Sequence, residues 1–254
     1  MPIQAELTGS TDGFRGRGAL VIAVPGQELL VWSWLTAFDP LVCILADGPG
    51  RASTVRNLIE AEAYIGSVFC RTTREGVERA LFGRDRARFV AIAEELAEEF
   101  VRYGIDYVVR SVAGESVSSR VCRLLVDAAT GLAARAAPGI RSWEVAPSTA
   151  NSRDVTLTAD GELWERKRGA IQKHSSWPVE LHDCIRETGL DGNRLERFVP
   201  VRPFSSEVVS DRTRAASVLR LHRGGAPEID AALADLSETL RYLVAGGSNR
   251  KAAA

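Results

Sequence analysis

Lysine, histidine and methionine are scarce in this 254-residue chain. Of its 32 basic residues only Lys167, Lys173 and Lys251 are lysine, and the rest are arginine. That bias reads as an effect of nucleotide composition. With a formal net charge of -1 it supplies no basic surface for nucleic acid or an anionic membrane. The histidines, His174, His182 and His222, all come late in the chain. Cys43, Cys70, Cys122 and Cys184 form no CxxC pair and no zinc-finger spacing, so they read as reduced, buried thiols. No apolar run nears the ~20 residues of a membrane span, and residues 1–18 lack the apolar region of a signal peptide. A cytoplasmic location is expected. GxSxG, HExxH, P-loop and GxGxxG motifs are absent, which removes the commonest hydrolase and nucleotide-binding readings.

What is present is a βαβα rhythm. Ala19 to Val24 reads as a short buried strand that runs into Pro25-Gly26. Gln27 to Phe38 reads as a helix, apolar on most faces. Residues 41–46 form a second strand and 53–65 a helix. Residues 86–103 form a helix that Gly104 ends. Residues 105–110 form a third strand, 120–136 a helix and 140–146 a fourth strand. Residues 154–158 suit an edge strand, 162–174 a helix broken at Trp177-Pro178, and 198–201 a late strand. This pattern predicts an α/β, Rossmann-like, mostly parallel sheet with helices on both faces. A C-terminal helical extension follows, with a helix over 228–244. Its stripe Ile229, Leu233, Leu236, Leu240 and Leu243 fits docking on the domain body or the seam of a homodimer. The organisation expected is a flexible 1–18, an α/β domain over 19–204, the extension over 205–246 and a disordered 247–254.

Ligands of an open parallel sheet bind at the carboxyl ends of its strands. Three loops sit there: Val24 to Gln27, Asp47 to Arg51, and Ser111 to Ser119. Asp47 and Arg51 offer a carboxylate and a forked donor, although Asp47 also suits a turn. Glu115, Ser116, Ser118 and Ser119 offer a carboxylate and three hydroxyls, although the serines also suit helix caps.

The order of these segments carries a resemblance. Val24-Pro25-Gly26-Gln27-Glu28 follows the first strand. Ala46-Asp47-Gly48-Pro49-Gly50-Arg51 follows the second, and a helix runs from Arg56 toward Gly66. Ser116-Val117-Ser118-Ser119 precedes a later helix. Lys167, Ala170, His174, Ser175 and Trp177 follow further on. Over residues 19 to 200 this layout resembles the LmbE-like family. That family includes the N-acetylglucosaminyl-phosphatidylinositol de-N-acetylases (PIG-L) and the mycothiol and bacillithiol deacetylases. The resemblance implies zinc amide hydrolysis in which the first turn reads His-Pro-Asp-Asp-Glu and the later loop His-Pro-Asp-His. Carried over, the three zinc ligands fall on Val24, Gln27 and Ser119. The general base falls on Gly26, and the first histidine of the second motif on Ser116. Trp177 stands where the family's last motif has Gln.

Val cannot ligate, and neutral Gln and Ser are poor zinc ligands. Without metal or base no hydroxide forms at neutral pH. A member without zinc or other cofactor is therefore expected. One reading is metal-free chemistry on a sugar- or amide-bearing metabolite, with Asp47, Glu115, His174 and Arg51 as actors. The other is a pseudo-enzyme that binds a small molecule or a partner subunit, with Val24, Gly26, Gln27, Ser116, Ser119 and Trp177 around its pocket and with Trp177, Trp32 and Trp34 as apolar surface. A zinc hydrolase with ligands relocated to Glu28, Asp47, Glu115 or His174 is the third.

Overall fold

The computed structural model describes residues 7–8, 12–111, 116–146, 154–201, 204 and 227–246. Eight strands form one mixed sheet: β1 (Leu7–Thr8), β2 (Gly18–Ile22), β3 (Leu41–Asp47), β4 (Tyr64–Thr73), β5 (Tyr107–Arg110), β6 (Arg141–Val145), β7 (Val155–Ala159) and β8 (Leu195–Val201). Their order is β1-β7-β8-β6-β5-β2-β3-β4. The contiguous run from β6 to β4 is parallel. β8, β7 and β1 add an antiparallel wing. The connections reverse between β2 and β5, which makes the crevice beyond their carboxyl ends the switch point of a Rossmann-like sheet.

Continuous apolar strands imply cover on both faces, and alternate residues part accordingly. Ala19 and Val21 of β2 belong to one core and Leu20 and Ile22 to the other. The first core is closed by α3 (Arg74–Phe82), α4 (Arg86–Arg102), α5 (Val117–Ala133) and α8 (Pro227–Val244). The second is closed by a 3-10 turn (Gln27–Val31), α1 (Trp32–Phe38), α2 (Arg51–Glu60), α6 (Gly161–Lys173) and α7 (Val179–Gly192). Leu233, Leu236, Leu240 and Leu243 of α8 are buried in the first core. The heptad-like stripe is thus spent on the domain itself, and it leaves no stripe for a homodimer seam through this helix.

Two expectations need correction. Asp12–Gly18 is not a flexible lead-in: Phe14 is buried and its ring meets Trp34, Phe38, Tyr107, Trp143 and Phe198. The second helix stops at Glu60, and Gly66 lies inside β4, an edge strand whose pairing with β3 is twice interrupted. Those bulges and the Gly66-Ser67 step hide the alternation that marks a strand. Helix α3 follows at once, started by Thr73, whose hydroxyl accepts from the Gly76 amide at 3.0 Å. The residues read as a disordered tail, 247–254, and the span 205–226 lie outside the described residues.

Helix α1 has no side-chain cap of its own. Glu196 of β8 supplies one, accepting from the Ser33 amide at 2.7 Å and the Trp34 amide at 2.9 Å. Lys167 of α6 neutralises that carboxylate at 2.7 Å, and both side chains are wholly buried. Burying charge is tolerable only with such pairing and hydrogen bonding. Removing one partner strands the other, so Lys167→Ala is expected to cost about 3–5 kcal/mol, measured by urea denaturation. A loss below ~1 kcal/mol would mean that the pair is hydrated or dispensable.

Candidate functional site

The switch-point crevice is built around one carboxamide. Gln27 opens the turn after β2, and its Oε1 accepts from the Ala23 amide at 2.9 Å and the Ser111 hydroxyl at 2.8 Å. The Val24 amide lies at 3.4 Å from the same oxygen. Gln27 Nε2 donates to Ser119 Oγ at 3.3 Å. Ser119 also accepts from the Ser116 hydroxyl at 2.8 Å and donates to Glu180 of α7 at 2.8 Å. Ser116 caps α5, its hydroxyl accepting from the Ser119 amide at 3.2 Å. Both acceptor positions of the carboxamide oxygen and both of the Ser119 hydroxyl are therefore filled. Val24, Gln27 and Ser119 are buried, so protein atoms occupy the crevice.

Beside it lies a second buried cluster. Glu28 is fully enclosed. It accepts from the Gly26 amide at 2.7 Å, the Thr54 hydroxyl at 2.9 Å and Asn57 Nδ2 at 3.1 Å. His174 Nε2 sits 3.7 Å from the same carboxylate and 3.2 Å from Thr54 Oγ1. Its Nδ1 donates to the Ser176 carbonyl at 2.6 Å. Thr54 thus gives its hydroxyl proton to Glu28, while its oxygen also lies within reach of His174 Nε2.

The segment His174 to Pro178 is laid directly on the strand-end turns. A Cβ on Gly26 (φ +93°) would meet Pro178 at 2.6 Å, and one on Gly50 (φ +108°) would meet His174 at 2.5 Å. Only glycine allows both the backbone conformation and the approach.

The sequence-derived candidates divide accordingly. Val24, Gly26, Gln27, Ser116 and Ser119 converge in the crevice, and His174 lies at its rim. Asp47 turns aside: its carboxylate accepts from the Gly48 amide at 2.8 Å and pairs with Arg51 at 3.0 Å on the surface. No hydrogen bond or ion pair joins Asp47 to His174 among the described residues. Glu115 lies outside the described residues. Trp177 is 41% exposed, and its indole N–H donates to the Ile171 carbonyl at 2.9 Å. The sequence reading missed Thr54, Asn57 and Glu180, had Ser111 only as the start of the third loop, and named Glu28 only as a relocated zinc ligand. A Glu next to Gln in an otherwise apolar helix start was the one signal for the second cluster.

The residues at the implied zinc positions do not fit the ion. Val24 has no donor atom, and the Gln27 and Ser119 oxygens are already engaged. Among the described residues no three His, Cys, Asp or Glu side chains gather as a ligand set.

The thiols near the site are inert by the same burial. Burial pushes Cys70 up to about 11, with the Asp47 and Glu28 carboxylates adding to the shift and Arg51 opposing it. Burial also raises Cys122 to about 12, Cys43 well above its ordinary value and Cys184 more modestly. A raised thiol pKa stabilises the fold fully below the unfolded value of 9.0. That contribution is lost as the pH climbs through the folded values. Unfolding free energy is therefore expected to fall above about pH 9, measured by denaturant titration at several pH values. A flat profile to pH 11 would contradict the burial of these thiols. Gln27→Ala would orphan the Ser111 hydroxyl and two turn amides. Each unsatisfied group costs about 1–3 kcal/mol, so a drop of at least ~2 kcal/mol is expected in the same assay. A neutral variant would show that water replaces the carboxamide.

No protein-family model, curated protein or solved structure matches this chain.

Proposed function

We propose that this chain is a divergent relative of the LmbE-like deacetylases that binds rather than turns over, a pseudo-enzyme on a hydrolase-like sheet. One observation carries the reading. At the switch-point crevice, where the resemblance places a metal and its hydroxide, Gln27 spends its carboxamide on Ala23, Ser111 and Ser119. A hydrolytic site needs an accessible nucleophile and a base with a free position. The Ser119 hydroxyl is buried and saturated, and both ring nitrogens of His174 are engaged. Asp47 is held by Arg51. These contacts speak against metal-free catalysis by Asp47 and His174. The ligand class implied by the resemblance is a small sugar- or amide-bearing molecule.

The test is calorimetric titration of the full chain with zinc, followed by incubation with N-acetylated amino sugars with and without the metal. No zinc binding at micromolar concentration and no release of acetate or free amine are expected. Stoichiometric zinc with turnover would overturn the proposal in favour of relocated ligands. Turnover without metal would restore the metal-free enzyme.

A further inference from the structure

Helices α2 and α6 run antiparallel on one flank of the sheet. Just past the end of α6, the Ser175 amide donates to Ser53 Oγ near the start of α2 at 3.2 Å. At the other end Arg166 of α6 reaches the Glu60 carbonyl at 3.3 Å. Between the helices lies a cavity of about 300 Å³, large enough for a small ligand. Two residues shape it. Gly169 sits inside α6 without a positive φ, and a Cβ there would meet nothing within 4 Å. Neither backbone nor packing demands glycine there, although glycine is unfavourable within a helix. Its effect is to keep the space empty. Asn57 is buried and gives its Nδ2 to the Glu28 carboxylate at 3.1 Å. Its Oδ1 therefore faces away from Glu28, and it accepts no hydrogen bond among the described residues.

The charges that line the cavity are sorted by sign. Arg56 and Lys173 stand toward the Ser53 end, Glu60 and Glu162 toward the Arg166 end. None of these four forms an ion pair among the described residues, and Arg56 has only a 3.4 Å contact with Ser53 Oγ. Their neighbours are already engaged, Glu165 with Arg168 and Arg166 with the Glu60 carbonyl. Helix stability does not explain the order on α2. Glu60 ends that helix, where a carboxylate opposes the dipole. A basic residue four places before an acidic one is also the poorer arrangement of such a pair. We propose that the cavity binds a small zwitterion, an ω-amino acid. Its carboxylate is held by Arg56 and Lys173, and its ammonium by Glu60, Glu162 and Asn57 Oδ1. Arg56 and Glu60 lie about 6 Å apart along the helix axis, which sets the spacing of the two ligand charges. The site lies outside the switch-point crevice and goes beyond the binding reading, so the zinc and turnover assays leave it untouched.

Calorimetric titration of the full chain with δ-aminovalerate tests the site, with valerate and pentylamine as singly charged controls. One site per chain is expected, with a Kd at or below about 1 mM and either control at least about tenfold weaker. Glu60→Gln and Lys173→Met change exposed side chains, and each should weaken δ-aminovalerate at least about tenfold. Gly169→Leu should fill the cavity and abolish binding while the melting temperature holds or rises, because leucine favours the helix. No binding of δ-aminovalerate would overturn the proposal. Valerate bound as tightly as δ-aminovalerate would also overturn it, leaving only a basic patch. So would undiminished binding by Gly169→Leu or Glu60→Gln.

Discussion

One carboxamide holds the strand-end crevice together. Gln27 takes hydrogen bonds from the turn after β2 and from Ser111 beyond β5, and gives one to Ser119 on the first turn of α5. Those three pieces of chain come from the two sides of the topological switch point. In a parallel sheet the ends of the strands leave unpaired backbone groups and helix N-termini facing one another. Proteins with this architecture commonly spend that polarity on a ligand. Here a neutral side chain with two acceptor and two donor positions absorbs it.

The neighbouring charges follow the same rule. Glu28 is fully buried, and its carboxylate takes three hydrogen bonds from Gly26, Thr54 and Asn57. Glu196 caps α1 and is neutralised by Lys167. Arg110, at the end of β5, is clamped between Asp127 and Glu144. Burial pulls its pKa down, but those two carboxylates raise it further, so the net shift is upward. In each case a polar side chain is carried into the interior with its partners already in place. Such arrangements tolerate little rearrangement, because freeing one member exposes a buried charge.

The sheet was largely legible from the sequence, because strands covered on both faces must be short, continuous and apolar, and β2, β3 and β5 are. The edge strand β4 was not. Its two bulges and its half-exposed pattern erase the period of two. Phe14 was also hidden, since one aromatic in a Gly-rich segment carries no periodicity, yet five rings close around it. For the site, the strand-end rule and the resemblance together pointed to Val24, Gly26, Gln27, Ser116 and Ser119, which the fold brings together. What they could not supply was the partners. Thr54 and Asn57 reach Glu28 from 26 and 29 residues away along the chain, and Glu180 reaches Ser119 from 61. Asp47 and His174 were both candidate actors, but Arg51 and Thr54 claim them separately.

The central claim is that protein atoms, not a metal, fill the switch-point crevice. The most direct measurement is a high-resolution crystal structure of the full chain from zinc-containing solution, with anomalous scattering recorded at the zinc edge. The account predicts no anomalous peak beside Gln27, Glu28 or Ser119, and the Gln27 carboxamide still bridging Ala23, Ser111 and Ser119. A full-occupancy zinc peak within bonding distance of Glu28 and His174, with Thr54 displaced, would contradict it.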